Sequence, residues 1–263
     1  MMAGAPTSGR LPPEGAAALL DQAFRLWIEP AIAERGLTIT RADVVKALVA
    51  MPPSQPPLVL INDDIRDDVA LIARVRAARP IEAGQTVTPA DYSSIEDLLP
   101  FGIDPNAAWV ALAKIGDEIV ISFDARRNRQ TAESLIERAL EFADASNFSL
   151  TRTHLGPAIE NAFAAIELAV KAQMYLLDDS PTQFHHERLR WWSKWVRLGN
   201  APAESASVLQ RLYTERGASR YGDGPITMAS EDVRLALDRV LEVIEHARLR
   251  CSERPSEGPS PAQ

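Results

Sequence analysis

The sequence predicts an α+β protein, in which N-terminal helices and a small antiparallel β unit precede a C-terminal antiparallel helical bundle. Apolar residues recur at helical spacing near the start of the chain and again throughout its second half. Between residues 58 and 125 the pattern changes to short, alternating apolar runs that are typical of strands. We therefore predict an N-terminal domain at residues 14–146 and a helical bundle at 147–250, between a disordered leader (1–13) and a disordered tail (251–263).

The composition limits the class of protein. The formal net charge is -8, which argues against a general nucleic-acid coat protein because phosphate binding depends on a surplus of Lys and Arg. A local basic patch is still compatible with it. Cys251 is the single cysteine, so neither an intrachain disulfide nor a cysteine zinc site can form. The sequence has no apolar run of membrane-spanning length and no signal-peptide core after Arg10. These features predict a cytoplasmic protein.

The N-terminal helices are predicted from apolar spacing. Residues 14–34 form one helix, which Pro30 should kink or break. Residues 41–51 form a second helix that Thr40 caps. Its inward residues are predicted to be Val44, Val45, Leu48 and Val49. The run PPSQPP, residues 52–57, then forbids further helix and predicts a stiff connector.

The β unit follows this connector. Residues 58–61 and 69–76 predict strands, and residues 107–114 and 118–124 predict a hairpin. Between them, the run ARPIEAGQTVTPADY predicts a turn at Gly84, a short strand at 86–88 and a helical turn that Pro89 and Asp91 open. This run also resembles a local stretch of SAF-type β-clip modules. A turn that needs glycine and proline accounts for it equally well.

The second half of the chain predicts helices only. A helix at 131–145 bridges the two halves, and a helix at 155–177 has a wide apolar face. Further helices are predicted at 185–197, 203–216 and 228–250. Tryptophans at helical spacing belong to a core more often than to a base-stacking surface. Because adjacent helical residues face different ways, one of Trp191 and Trp192 should point away from the main core.

Three features of residues 150–250 carry a resemblance to the HEPN superfamily of small helical bundles. The first is the helix AIENAFAAIELAVKAQMYLL, residues 158–177. The second is the pair His185 and His186, which opens the next helix. The third is LQRLYTERGASRYG, residues 209–222, at the end of a third helix that precedes a last long one. The resemblance implies a bacterial protein that forms homodimers through the bundle, in a defence or toxin–antitoxin setting.

The resemblance also identifies candidate site residues. In HEPN ribonucleases the motif is an Arg, four residues and a His, and two copies face each other across a dimer. Arg216 stands at the Arg position and Tyr221 at the His position. A phenol, with a pKa of about 10, is a poor general base at neutral pH. The resemblance therefore implies a non-catalytic module, and the candidates for catalysis are Arg216, Tyr221 and His185.

Arginines supply the candidate anion- or RNA-binding residues, which are Arg216, Arg220, Arg126, Arg127 and Arg129. The competing interpretation is ordinary, since cations suit a helix C-terminus and a hairpin end. The acidic run NDDIRDD, residues 62–68, could bind a divalent cation, but it lacks the glycine and the final glutamate of an EF-hand loop. A solvated turn is the competing interpretation. The chain contains no P-loop, no GxGxxG, no GxSxG and no HExxH motif.

Together these observations predict a non-catalytic cytoplasmic interaction module without a cofactor or a metal. Its predicted partners are a second copy of the chain through the bundle, RNA or a nucleotide, and a protein partner, with no membrane. The alternative is a metal-independent endoribonuclease that uses Arg216.

Overall fold

A computed structural model of the protein describes residues 13–82, 84–116, 118–177, 182–222 and 224–252. The chain divides into two compact units, one up to Ala125 and one from Arg126 onward. The predicted α+β class is confirmed, with β structure in the first unit and helices in the second. The predicted domain boundary at residue 146 falls inside a helix of the second unit. Residues 1–12 and 253–263, where the leader and the tail were predicted, lie outside the described residues.

The first unit begins with a helix that changes its winding before Pro30. Helix α1 spans Pro13–Ala23, a π-helical turn spans Phe24–Ile28, and α2 spans Glu29–Glu34. Pro30 has no N–H to return to the preceding turn, so a regular α-helix cannot pass through it with all its hydrogen bonds. The irregularity predicted at this proline therefore takes the form of one widened turn.

The main sheet of this unit has four antiparallel strands in the order β2-β1-β5-β6. Their bounds are Lys46–Met51 for β1, Leu58–Ile61 for β2, Ala108–Ile115 for β5 and Glu118–Asp124 for β6. The predicted hairpin is confirmed as β5 and β6, and Gly116 takes a left-handed φ of 63° in its turn. Alternate residues of each strand face opposite sides. One side of the sheet packs on the N-terminal helices.

The predicted helix at residues 41–51 is wrong. A capping box does form at Thr40, whose backbone N–H donates to the Asp43 carboxylate at 2.8 Å, but the helical segment ends after Arg41–Asp43. The chain then enters β1, where Leu48 and Val49 are buried on opposite faces between β2 and β5. β-Branched residues such as Val44, Val45 and Val49 favour an extended backbone, and β2 and β5 supply strand partners on both edges of β1.

A second, two-stranded sheet covers the other face. It pairs β3, Ala70–Ala77, with β4, Tyr92–Phe101. Leu98 anchors it, because its backbone N–H donates to Ser122 Oγ of β6 at 2.8 Å. The short strand predicted at residues 86–88 is absent, although the helical turn predicted after it is present as Pro89–Asp91. Strand β4 was missed because serine, glutamate, aspartate and proline interrupt its apolar alternation.

The second unit consists of five helices within the residues that the structure describes. They are α3 (Arg129–Thr151), α4 (Leu155–Leu176), α5 (His185–Arg197), α6 (Ser205–Tyr221) and α7 (Ser230–Ser252). Helix α4 lies at the centre, packed against α3, α6 and α7. It carries small and branched apolar residues on most of its circumference, so that Ala162, Ile166 and Val170 are fully buried. Among the described helices, none combines the length and the apolar character that a membrane-spanning segment needs.

Helix α6 extends five residues beyond its predicted end at Arg216. Gly217 lowers helix stability by only about 1 kcal/mol relative to alanine, which the flanking turns can tolerate. The helix ends at Gly222, whose left-handed φ of 72° forms the C-cap. Consequently Arg216, Arg220 and Tyr221 all stand on one helix rather than in a loop after it.

The tryptophans of α5 behave as predicted. Trp192 is fully buried, and its indole N–H donates to Ser205 Oγ at 3.1 Å. Trp191 and Trp195 are half-buried and stack on each other with a centroid distance of 5.3 Å. Trp192 therefore lies in the core and the adjacent Trp191 lies at its edge, because neighbouring residues of a helix face different ways.

Candidate anion-binding site

The candidate site is built on one face of α4. Glu160, Phe163 and Glu167 are three and four residues apart, so their side chains lie along a single stripe. Helix α6 brings Arg216 and Arg220 to the Glu160 end of this stripe. Helix α5 brings His185 and Arg188 to the Glu167 end. Phe163, only 3% exposed, lies between the two groups of charges.

At the first end, two cations share one carboxylate oxygen. Arg220 Nη1 donates to Glu160 Oε1 at 3.1 Å, and Arg216 Nε lies 3.5 Å from the same oxygen. The Arg216 guanidinium also lies over the Phe163 ring, 5.3 Å from its centroid. The side chain of Arg216 is 18% exposed and that of Arg220 is 47% exposed. Together Arg216, Arg220 and Glu160 therefore carry one positive charge in excess, and part of it faces solvent.

At the second end, a more deeply buried pair forms. Arg188 donates to Glu167 Oε1 from Nε at 3.0 Å and from Nη2 at 2.8 Å. His185 Nδ1 contacts the same carboxylate, and Arg188 Nη1 donates to the carbonyl of Thr182. The His185 ring meets Phe163 edge-on at a centroid distance of 5.6 Å. Arg216 and His185 therefore belong to one cluster, because both contact the ring of Phe163.

Tyr221 lies at the rim of this cluster. Tyr221 is 66% exposed, which makes it one of the most exposed large hydrophobic residues of the described chain. Its ring lies 5.6 Å from the guanidinium carbon of Arg220. An aromatic ring and an arginine side by side at a surface form a platform on which a planar base can stack.

Residues 132–250 match the HEPN domain. The match runs from α3 to α7 and includes every residue of the cluster described above, so the resemblance inferred from the sequence is confirmed. No protein in the curated set matches the chain.

Arg126, Arg127 and Arg129 do not join this cluster. Arg127 N–H donates to the carbonyl of Leu176 at 3.1 Å, at the far end of α4. Leu176 is sixteen residues beyond Glu160, which corresponds to about 24 Å along the helix. Within the described residues, Arg127 therefore lies far from the Arg216–Arg220 pair.

Instead, two of these arginines hold the end of α7. Arg126 Nη1 donates to the carbonyl of Arg250 at 2.6 Å, and Arg129, which is only 5% exposed, donates to the carbonyl of Cys251 at 3.5 Å. The last carbonyls of a helix carry partial negative charge, so they are natural partners for guanidinium groups. Cys251 is buried there, and burial raises the pKa of its thiol to about 11.

The acidic run of the first unit is engaged in an ion pair. Arg35 donates two hydrogen bonds to the Asp64 carboxylate, at 2.7 and 2.9 Å, and Ile61 N–H donates a third at 2.9 Å. The Arg35 hydrogen bonds hold the pKa of Asp64 below its ordinary value. Among the residues that the structure describes, no group of three or more His, Cys, Asp or Glu side chains is placed to hold a metal ion.

Sequence reasoning identified Arg216, Arg220 and His185 but missed their partners on α4 and α5, namely Glu160, Phe163, Glu167 and Arg188. Glu160 and Glu167 belong to the helix for which the sequence predicts a wide apolar face. Their spacing with Phe163 was a usable signal, because two carboxylates seven residues apart on a helix that is otherwise buried must find cations on its neighbours.

Proposed function

We propose that the HEPN domain of this chain is a non-catalytic interaction module that binds RNA or a nucleotide at the surface formed by Arg216, Arg220 and Tyr221. One observation carries the proposal: Arg216 and Arg220 share a single carboxylate oxygen of Glu160, so the pair has positive charge left for an anion. A phosphate group is a suitable anion, since arginine matches its oxygens in a planar, two-pronged geometry.

The aromatic residue beside the cations favours a nucleotide over a simple inorganic anion. Tyr221 presents an exposed ring next to Arg220, and base stacking on such a ring contributes about 1–3 kcal/mol per base. Phosphate contacts of this kind carry little sequence information. The expected ligand is therefore recognised by its charge and its flat base, with little preference among sequences.

The non-catalytic character rests on the residue at the expected histidine position. Tyr221 replaces the group that would exchange protons with the RNA 2′-hydroxyl or its leaving group. Binding without cleavage is the consequence.

Homodimerisation through the bundle is a separate part of the proposal, which the HEPN match supports by resemblance. A role in bacterial defence or in a toxin–antitoxin pair is proposed on the same basis alone. Sedimentation velocity across a hundredfold range of protein concentration tests the dimer. A single monomeric species at every concentration would contradict it.

Fluorescence polarisation with a labelled 12-nucleotide RNA and with labelled ATP tests the binding site. Arg216→Ala and Arg220→Ala should each weaken binding, and the affinity should fall with added salt as phosphate neutralisation requires. Arg211→Ala is the matched control, because Arg211 also lies on α6 but pairs with Asp232, at 2.9 Å, away from the cluster. Equal loss in the control, or no binding by the wild type, would reject the proposal.

A metal-independent endoribonuclease is the second candidate function. It is favoured by the cluster of side chains around Phe163. Arg216 and His185 both contact this ring, and a carboxylate orients the imidazole, as general acid–base catalysis requires. Labelled RNA is incubated with the protein in the presence of EDTA. Cleavage that disappears in both Arg216→Ala and His185→Ala would establish this candidate and overturn the non-catalytic proposal.

A further inference from the structure

Helix α5 carries a row of three exposed cations. Arg190, Lys194 and Arg197 are four and three residues apart, so their side chains lie within a sector of about 60° on one side of the helix. The opposite side of α5 holds Arg188 and Trp192, which are buried in the bundle. The three exposed cations form no ion pair among the residues that the structure describes. We call them the basic row, and they are available to an acidic surface.

Helix α3 carries a row of carboxylates with the same spacing. Glu137, Glu141 and Asp144 are exposed and are again four and three residues apart, within a sector of about 60°. Arg138, which directly follows Glu137, projects about 100° away from it. Within the described part of the chain the three carboxylates take part in no ion pair either. We call them the acidic row. Each row is about 10.5 Å long at 1.5 Å per residue, so the two rows match in number and in length.

We infer that the second copy in the proposed homodimer lays its acidic row along the basic row of α5, with the two helices antiparallel. This inference rests on the homodimer of the proposed function and names the surfaces that meet in it. Within one copy the two rows form no ion pair with each other, so each row is left for another molecule. Complementary charges decide which surfaces meet and in which direction, more than how tightly they bind.

In the antiparallel direction every carboxylate of the acidic row faces one cation of the basic row. The two end pairs coincide, and the middle pair is offset by one residue, about 1.5 Å, which long side chains accommodate. The pairs are Asp144 with Arg190, Glu141 with Lys194, and Glu137 with Arg197.

Exposed aromatic rings at one end of the two rows favour this direction. Phe148 is 60% exposed and stands four residues beyond the acidic row, on the same side of α3, with the guanidinium carbon of Arg152 at 4.6 Å from its ring centroid. In the antiparallel direction Phe148 falls opposite His186, four residues before the basic row. The His186 ring lies 5.8 Å from the ring of Phe184, which is 61% exposed. An antiparallel contact therefore covers both phenylalanines, whereas in the parallel direction Phe148 would fall beyond the last residue of α5.

Charge reversal with complementation tests the inference. The acidic-row variant is Glu137→Lys/Glu141→Lys/Asp144→Lys, and the basic-row variant is Arg190→Glu/Lys194→Glu/Arg197→Glu. Sedimentation velocity at low ionic strength is recorded for the wild type, for each variant alone and for an equimolar mixture of the two variants. Circular dichroism and thermal unfolding confirm that both variants are folded.

Each variant alone should lose at least about tenfold in dimerisation affinity, because its two rows then carry the same sign of charge. The equimolar mixture should form dimers again, since the reversed row of one variant meets the opposite charge on the other variant. One variant makes the net charge of the chain less negative by six and the other makes it more negative by six. General repulsion therefore cannot explain a loss in both.

Phe148→Ser tests the aromatic end of the contact, and Leu235→Ser is its matched control. Leu235 is 56% exposed on α7, which carries neither row. Phe148→Ser should weaken dimerisation several-fold, because an aromatic contact is lost from the interface, and Leu235→Ser should leave dimerisation unchanged. An equal effect of the two substitutions would contradict the antiparallel direction.

The outcomes separate this inference from the proposed function. If both reversal variants dimerise as the wild type does, or if the mixture of folded variants stays monomeric, the homodimer stands and this inference fails. If the wild type is monomeric at every concentration, the proposed homodimer fails as well, whereas RNA binding at Arg216 and Arg220 is decided by its own polarisation assay. If the basic-row variant loses affinity for RNA and mixing does not restore dimers, the basic row binds a nucleic acid instead.

Discussion

Arg216 and His185, from two different helices, contact the same aromatic ring. The Arg216 guanidinium lies 5.3 Å from the Phe163 centroid, and the His185 ring lies 5.6 Å from it. Phe163 is thus both a core residue and the residue on which Arg216 and His185 pack. A change at this residue should alter stability and ligand binding together.

Phe163→Leu is expected to destabilise the HEPN domain by about 1–2 kcal/mol, because it removes the ring contacts but keeps most of the apolar volume. It should also weaken RNA binding, since Arg216 loses its support. Urea unfolding and polarisation measure the two effects. Phe142→Leu is the control, because this half-buried ring of α3 packs on the same core and should affect stability without affecting binding.

Glu160→Gln is expected to tighten the binding of RNA several-fold. In the proposed site the glutamate would compete with a phosphate for Arg216 and Arg220, and glutamine removes its charge while keeping its shape. Stability should change by less than about 1 kcal/mol, because the ion pair is partly exposed. Glu245→Gln, which releases Arg248 on α7, should leave RNA affinity unchanged. Weaker binding by Glu160→Gln would contradict this prediction.

The pair of Glu167 and Arg188 should show strong coupling. Arg188 is only 7% exposed, so removal of one partner leaves a buried charge, which typically costs about 3–5 kcal/mol. Glu167→Gln and Arg188→Leu should each destabilise the domain strongly. The double variant should lose clearly less than the sum of the two single losses. Denaturant titration of all four proteins gives the coupling energy, and simple additivity would argue against a direct interaction.

Glu215 should make stability depend on pH. The Glu215 carboxylate accepts hydrogen bonds from the backbone N–H of Thr227, at 3.0 Å, and from the Thr227 hydroxyl. The bond from the hydroxyl is the main cause that lowers the pKa of Glu215 below its ordinary value of 4.5. A lowered folded-state pKa adds stability that is fully present above the unfolded pKa and is lost as pH falls through the folded pKa. The stability difference between the wild type and Glu215→Gln should therefore be constant near pH 7 and shrink below about pH 4.5. A stability difference that grows as the pH falls would contradict a lowered pKa for Glu215. Exposed Glu137→Gln on α3 is the control.

Gln173 predicts a stabilising substitution. It is 1% exposed in the core around α4, and neither atom of its amide has a hydrogen-bond partner among the described residues. Burying an unpaired amide costs about 1–3 kcal/mol, so Gln173→Met, which keeps the length of the side chain, should raise the melting temperature. A lower melting temperature would show that the amide makes a bond in solution, for example to a buried water.

The sequence could predict the helical bundle because α4 and α7 bury broad apolar faces that repeat at helical spacing. It could not predict β1, because Val44, Val45, Leu48 and Val49 satisfy the helical spacing equally well and only pairing with β2 and β5 decides the outcome. For the site, residue types pointed to Arg216 and Arg220. Their shared partner Glu160 is on another helix, and its position depends on how α4 and α6 cross, which local patterns do not encode.

Hydrogen bonds from Arg126 and Arg129 to the carbonyls of Arg250 and Cys251 hold the first residues of the bundle beside its last residues. Tension transmitted through the segments that flank the bundle would therefore act across these contacts before it reached the helices. The Arg216 end of α4, about 24 Å further along, would be mechanically shielded. A force on either flanking segment is therefore expected to be met far from Arg216 and Arg220.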